Sequence, residues 1–172
     1  MFPDFLKLLS ALNAHKVKYL IVGGYAVSQH AQPRATKDLD ILIQPAPKNG
    51  AALYKALLDF GAPVAGYSAA DFIEKGKFFR MGNPPIAIDI LPEIDGIEFN
   101  AAWKNRVTAR LDQDTGLKAH FISSSDLIAA KLASGRPQDI ADVEALRQAR
   151  LGTPEAQKRK SKKPPKQKPG KP

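Results

Sequence analysis

Asp38 and Asp40 sit two residues apart in "KDLDILI", on a run that is otherwise apolar from Leu39 to Ile43. On a β-strand such a pair projects from one face, with Cβ atoms ~7 Å apart. Two like charges this close are costly without a positive partner. A divalent magnesium ion is a natural one, because it binds through one or two carboxylates plus substrate phosphates. A third acid, Asp89 in "IAIDIL", lies on a second apolar run. Three carboxylates holding two cations ~3.5–4 Å apart is the arrangement suited to in-line phosphoryl or nucleotidyl transfer.

Gly23 and Gly24 follow the apolar run "VKYLIV" and precede "YAVSQHA". A strand entering glycines and then a helix exposes backbone N–H groups to an anion, and glycine lets phosphate approach the backbone. No GxxxxGK[ST] motif is present, so this is not a Walker-type phosphate loop. Each feature also has an ordinary reading: a glycine turn, a solvated strand face, a lone exposed acid. Solvation explains the aspartates poorly, because their strand is otherwise apolar.

The elements that must position these residues follow from periodicity. Phe5, Leu8, Leu9 and Leu12 recur at helical spacing, which predicts a helix over residues 3–14. Residues 17–22 read as a strand, "YAVSQHA" as a short helix stopped before Pro33, and residues 38–44 as a second strand. On that strand Leu39, Ile41 and Ile43 share one face, while Asp38, Asp40 and Leu42 share the other. "NGAALYKALLDFGA" reads as a helix with Leu53, Leu57 and Phe60 inward. "KFFRM" and "IAIDIL" flank "GNPP" in a hairpin-like arrangement, and "RVTARL" and "LKAHFI" flank "DQDTG" in another. From Ser123 the chain reads as two helices separated by Gly135 and Pro137. The expected fold class is α/β (α+β), a small mixed β-sheet with flanking helices.

The chain has 172 residues and is 44% hydrophobic, as for a single globular domain with a real core. Its formal charge of +9 is concentrated at the end: residues 158–172 hold eight Lys or Arg and no acid, leaving 18 basic against 17 acidic residues before them. We expect a domain over residues 1–151, with a helical end at 123–151, followed by a disordered basic tail at 152–172. That tail offers nonspecific affinity for nucleic acid, or simply solubility. With no cysteine, disulfides and thiolate metal sites are excluded, and His15, His30 and His120 lack zinc-ligand spacing. The N-terminus does not read as a signal peptide and no apolar run approaches the ~20 residues of a membrane helix. The expectation is a cytoplasmic protein with no membrane role.

Taken together, these residues resemble the polymerase-β-like nucleotidyltransferase superfamily. Its signature is an apolar strand, Gly-Gly or Gly-Ser, a spacer, then acid–apolar–acid–apolar. Here these are Gly23-Gly24, thirteen residues from Tyr25 to Lys37, and Asp38-Leu39-Asp40-Ile41, with Asp89 as the later third acid. The resemblance implies the nucleotidyltransferase fold and transfer of a nucleoside monophosphate from an NTP to a hydroxyl on RNA, protein or a small molecule. It implies that Asp38 and Asp40 ligate both of two Mg2+ ions. Asp89 would ligate the one that activates the attacking hydroxyl and could assist as general base. It also implies that Gly23 and Gly24 hold the triphosphate.

"KLASGRPQDIADVEAL" is similar to the Lys-x4-Arg-x2-Asp motif of abortive-infection (AbiEii) type nucleotidyltransferase toxins and their small relatives. The matching residues are Lys131, Arg136 and Asp139, with Asp142 one helical turn on. By this resemblance Lys131 faces nucleotide phosphates, Asp139 supports the site, and a toxin–antitoxin-type partner is implied. The alternative for Arg136, Asp139 and Asp142 is ordinary capping and helix-surface charge. Arg34 and Lys37 are either counter-charges for a triphosphate or surface charges, and Thr36 and Arg80 lie near the same site. Tyr25 and Trp103 read as packing residues. The alternative to an enzyme is an antitoxin-like binding module that keeps the fold without catalysis.

Overall fold

The computed structural model describes residues 1–82 and 86–152. Residues 83–85 of the "GNPP" turn and the basic tail after Gly152 lie outside the described residues.

The chain begins with helix α1 (Pro3–Ala14), which buries Phe5, Leu8, Leu9 and Leu12 along one stripe. Each such fully buried side chain contributes about 1.5–3 kcal/mol of transfer free energy. Strand β1 (Tyr19–Ile21) runs into helix α2 (Gly23–His30), and strand β2 (Leu39–Ile43) follows. Helix α3 (Pro47–Phe60) begins two residues earlier than "NGAALYKALLDFGA" suggests. Pro47 starts it because proline is well tolerated at the first helical position, where no N–H is needed.

Strands β3 (Phe79–Met81) and β4 (Ile88–Leu91) pair antiparallel, as the hairpin reading expects. Helix α4 (Phe99–Asn105) follows, started by the Glu98 carboxylate accepting from the N–H groups of Asn100 and Ala101. Strands β5 (Val107–Arg110) and β6 (Lys118–Phe121) form the second hairpin. Helices α5 (Ser124–Ser134) and α6 (Pro137–Leu151) close the described chain. Ser123 caps α5 by accepting from the N–H of Asp126.

The six strands form one mixed sheet in the order β3-β4-β2-β1-β6-β5. The central pair β1–β2 is antiparallel, while β2–β4 and β1–β6 are parallel. This confirms the mixed α/β fold class. Around the sheet α1 packs on α3, and α2 packs on α5 and α6. Both faces of β2 are covered: Leu39, Ile41, Leu42 and Ile43 are all buried, and only Asp40 among its residues keeps some exposure. A carboxylate in the middle of a central strand is therefore the residue this core accommodates least easily.

Candidate active site

The parallel pairing of β2 with β4 puts Asp40 directly beside Asp89. Neighbouring strands are ~4.8 Å apart, and residues in register point to the same face. Asp38 lies one residue before β2 rather than within it as the 38–44 reading expects, and Arg80 bridges it to Asp89 on the Asp40 face. Strand register thus brings Asp89, distant in sequence, to the Asp38–Asp40 pair at one end of one sheet face. It adds a fourth group: Arg80 on β3 pairs in register with Asp89.

The Arg80 guanidinium lies 3.1 Å from Asp38 Oδ2 and 3.1 Å from Asp89 Oδ1, so it stands between the two acids. Its side chain is 53% exposed. Asp89 Oδ1 is buried and, despite its closeness to Arg80 Nε, makes no hydrogen bond among the described residues. Among the described residues no group of three His, Cys, Asp or Glu side chains gathers around one point as a formed metal centre does. The acids share a face and an end of the sheet, with Arg80 inserted between two of them.

Asp40 faces Gly23. The glycine adopts φ +59°, and a Cβ built on it would fall 1.8 Å from Asp40 Oδ2. Only glycine fits there, for both backbone conformation and space. The two glycines are not a turn ahead of the helix, as their position suggests, but the first two residues of α2. Residue Val22 supplies no side-chain cap, so the first N–H groups of α2 keep the unpaired character of a helix start. Gly24 is equally confined: a Cβ would lie 2.4 Å from Thr36 Oγ1, because the segment before β2 folds across the start of α2. Val22 N–H donates to the Asp40 carbonyl at 2.9 Å, which fixes the strand exit against β2.

A pocket of about 230 Å3 opens beside Gly23 and Asp40. Its lining includes Gly23, Asp40, Asp95, Lys131, Arg136 and Asp139. Asp38, Asp89, Gly24 and Lys37 are not part of that lining, and Lys37 is exposed. Asp40 and Gly23 are therefore the hinge between the acid row on the sheet and the charged end of α5 and α6.

That charged end is not a set of surface charges. Asp139 and Asp142 are 1% and 2% exposed, and Lys131 is 6% exposed. Lys131 Nζ lies 2.8 Å from Asp139 Oδ1 and 2.7 Å from Asp142 Oδ2. Arg34, from the segment before β2, approaches Asp142 with Nε 2.9 Å from Oδ1. Arg136 Nε donates to Asp139 at 2.7 Å and is itself largely exposed. The capping and surface reading fails for the two aspartates for this reason. Lys131 and Arg34 also differ from simple phosphate ligands, because carboxylates already hold both.

The electrostatics follow the geometry. Burial, then the neighbouring Asp89 and Asp38, push the Asp40 carboxyl up to about 6, against the pull of Lys131 and Arg136. Burial raises Asp89 as well, opposed by Arg80 and reinforced by Asp38. Burial alone would raise Asp139 too, but hydrogen bonds from Arg136, Lys131 and Ser134 hold it well below the carboxylate range. So burial disfavours the ionised forms of Asp40 and Asp89 on the sheet, while its cations and hydrogen bonds keep Asp139 of α6 ionised. Strained ionisable groups beside a pocket mark functional sites more often than structural ones.

Arg80 as an acid-bridging group and Asp95 as a wall residue are not legible in any motif; Arg80 follows only from the register of β3. Tyr25 and Trp103 pack against the core as expected. Among the described residues no helix is long and apolar enough to cross a membrane.

No curated protein matches the chain significantly. One family does, and its match takes in every acid, glycine and basic residue of the site while leaving out the basic tail. Its description speaks of nucleotidyl transfer and of no toxin or antitoxin. Over residues 3–149 the chain belongs to the family described as nucleotidyltransferase of unknown function (DUF6036).

Proposed function

We propose that the chain moves a nucleoside monophosphate from an NTP to a hydroxyl acceptor. The acceptor oxygen attacks the α-phosphorus, the α–β anhydride bond breaks, and pyrophosphate leaves. The acceptor proton goes to Asp89 or to water. A carboxyl raised above its ordinary value, as Asp89 is, takes a proton near neutral pH more readily than an ordinary aspartate. The observation that carries this reading is the register of Asp40 with Asp89, with Asp38 on the same face and Gly23 against the Asp40 carboxylate.

Asp38, Asp40 and Asp89 would hold the Mg2+ ions, two in number. The donor set fits a hard cation: all its donors are oxygen, Asp40 and Asp89 lie side by side, and among the described residues Asp89 Oδ1 is buried without a hydrogen bond. Bound there, the metal would neutralise triphosphate charge. Gly23 and Gly24 would offer backbone N–H groups to the phosphates at the start of α2. Lys37, exposed at the approach to β2, would add counter-charge. Lys131, Arg136 and Asp139 would act as a unit, with Asp139 holding the two cations in place at the pocket wall. Their positive field favours the ionised form of Asp40. An NTP-dependent reaction of this kind suits the cytoplasm.

A second reading, a binding module that keeps the fold without transfer, has one observation in its favour: Arg80 already pairs Asp38 and Asp89. A toxin–antitoxin partnership would suit that reading too. Pyrophosphate release separates the two. With Mg2+, each NTP in turn and total RNA or protein as acceptor, the chain should release pyrophosphate and Asp89→Asn should lose at least about a hundredfold. Equal release by chain and variant, or none from either, favours the module.

A further inference from the structure

A second concave region lies at the opposite end of the two central strands. It is a groove of about 600 Å3 lined by His15, Lys16, Lys18, Gln44, Lys48, Asn49, Ala51, Ala52 and Lys55. Lys18 immediately precedes β1 and Gln44 immediately follows β2. From Asp40 to Gln44 the strand climbs ~13 Å, so the groove is separate from the acids.

Four lysines converge on it, and among the described residues none of their side chains has an acid partner; Asp59 engages His15 instead. The sequence before the tail is almost neutral, so this concentration is not an average property of the surface. Lys48 and Lys55 are seven residues apart, two turns along one face of α3. The N-terminal end of α3 opens beside them with no acid in its first turn and no side-chain cap. Lys16 takes φ +56°, a left-handed conformation uncommon for any residue but glycine, asparagine or aspartate.

The rim is rigid. Asn49, 6% exposed, accepts from Lys18 N–H at 2.8 Å and donates to the carbonyls of Lys18 and Gln44 at 3.0 Å each. Among the described residues the apolar lining is only Ala51 and Ala52, and the one aromatic ring is the His15 imidazole, held by Asp59. Such a surface has nothing to insert into a bilayer and, beyond that one imidazole, nothing to stack on bases. It offers fixed positive charge in a concave track.

We propose that this groove binds the phosphodiester backbone of single-stranded nucleic acid, without sequence preference. The binding does not depend on nucleotidyl transfer.

The test uses the full chain and a fluorescent oligouridylate, without NTP, and measures affinity against salt. Each phosphate contact on a single strand contributes about 0.7 to the slope of log K against log salt. Changing Lys16, Lys18, Lys48 and Lys55 to Gln should reduce that slope by close to 3, with the tail's own contribution unchanged. The pairs Lys16→Gln/Lys18→Gln and Lys48→Gln/Lys55→Gln should each remove about half. Four exposed lysines elsewhere, Lys7, Lys75, Lys104 and Lys118, changed to Gln together control for net charge. An unchanged slope, or an equal fall in the control, overturns the proposal. So does a result in which the groove lysines govern binding to acidic phospholipid vesicles and not to the oligonucleotide.

Discussion

Replacing Asp40 with asparagine should make the protein more stable and stop the reaction. In the fold the Asp40 carboxyl is raised from 3.8 to about 6, first by burial and then by Asp89 and Asp38. At ~1.4 kcal/mol for each unit, the ionised form costs the folded state about 3 kcal/mol. The sign follows from proton uptake. Between these two values the folded chain holds more protons at Asp40 than the unfolded chain, so stability falls as pH rises through that window. Asparagine is a neutral mimic of the protonated acid and escapes this cost. Urea unfolding should therefore show Asp40→Asn more stable by about 3 kcal/mol at pH 8, by about half that at pH 5, and by little below pH 4. Saturating Mg2+ should narrow the gap at pH 8, because it favours the ionised wild-type side chain. A gain independent of pH, or an asparagine variant less stable at pH 8, would refute the electrostatic account of this residue.

Other perturbations separate the remaining parts. Gly23→Ala combines a left-handed alanine, about 1–2 kcal/mol, with displacement of the Asp40 carboxylate, and should cost about 2–4 kcal/mol in thermal unfolding. Gly61→Ala is its control: φ is +84° but among the described residues nothing lies within 4 Å, so only the backbone cost should appear. Lys131→Met leaves Asp139 and Asp142 buried without their shared cation and should cost about 3–5 kcal/mol in denaturant unfolding. Arg80→Ala removes a half-exposed partner, so stability should change by under about 1 kcal/mol. Calorimetry should then find Mn2+ bound more tightly, because the guanidinium no longer competes for Asp38 and Asp89.

Much of this architecture is legible in the sequence because local pattern and burial agree. The stripe of Phe5, Leu8, Leu9 and Leu12 and the alternation of Leu39, Ile41 and Ile43 both end up fully buried. Helix α4 is not legible: it is seven residues long, too short for a period to register, and its cap is a glutamate rather than Ser, Thr, Asp or Asn. The glycines look like a turn because composition does not distinguish a turn from a helix start in which no side chain fits. Half-buried Arg34 reaches the buried cluster of Lys131, Asp139 and Asp142 from about a hundred residues away, and no spacing rule connects it to them. Arg80 depends on how a three-residue strand registers against β4, and only the folded sheet determines that. The motif residues were visible; the company they keep was not.

The most direct measurement follows the label of an NTP. The chain is incubated with Mg2+, acceptor RNA or protein, and NTP labelled at either the α or the γ phosphorus. Nucleotidyl transfer predicts covalent label on the acceptor from the α position only, γ label in released pyrophosphate, and neither with Asp38→Asn/Asp40→Asn. Label reaching the acceptor from the γ position, or α label transferred equally by the double variant, would contradict the account.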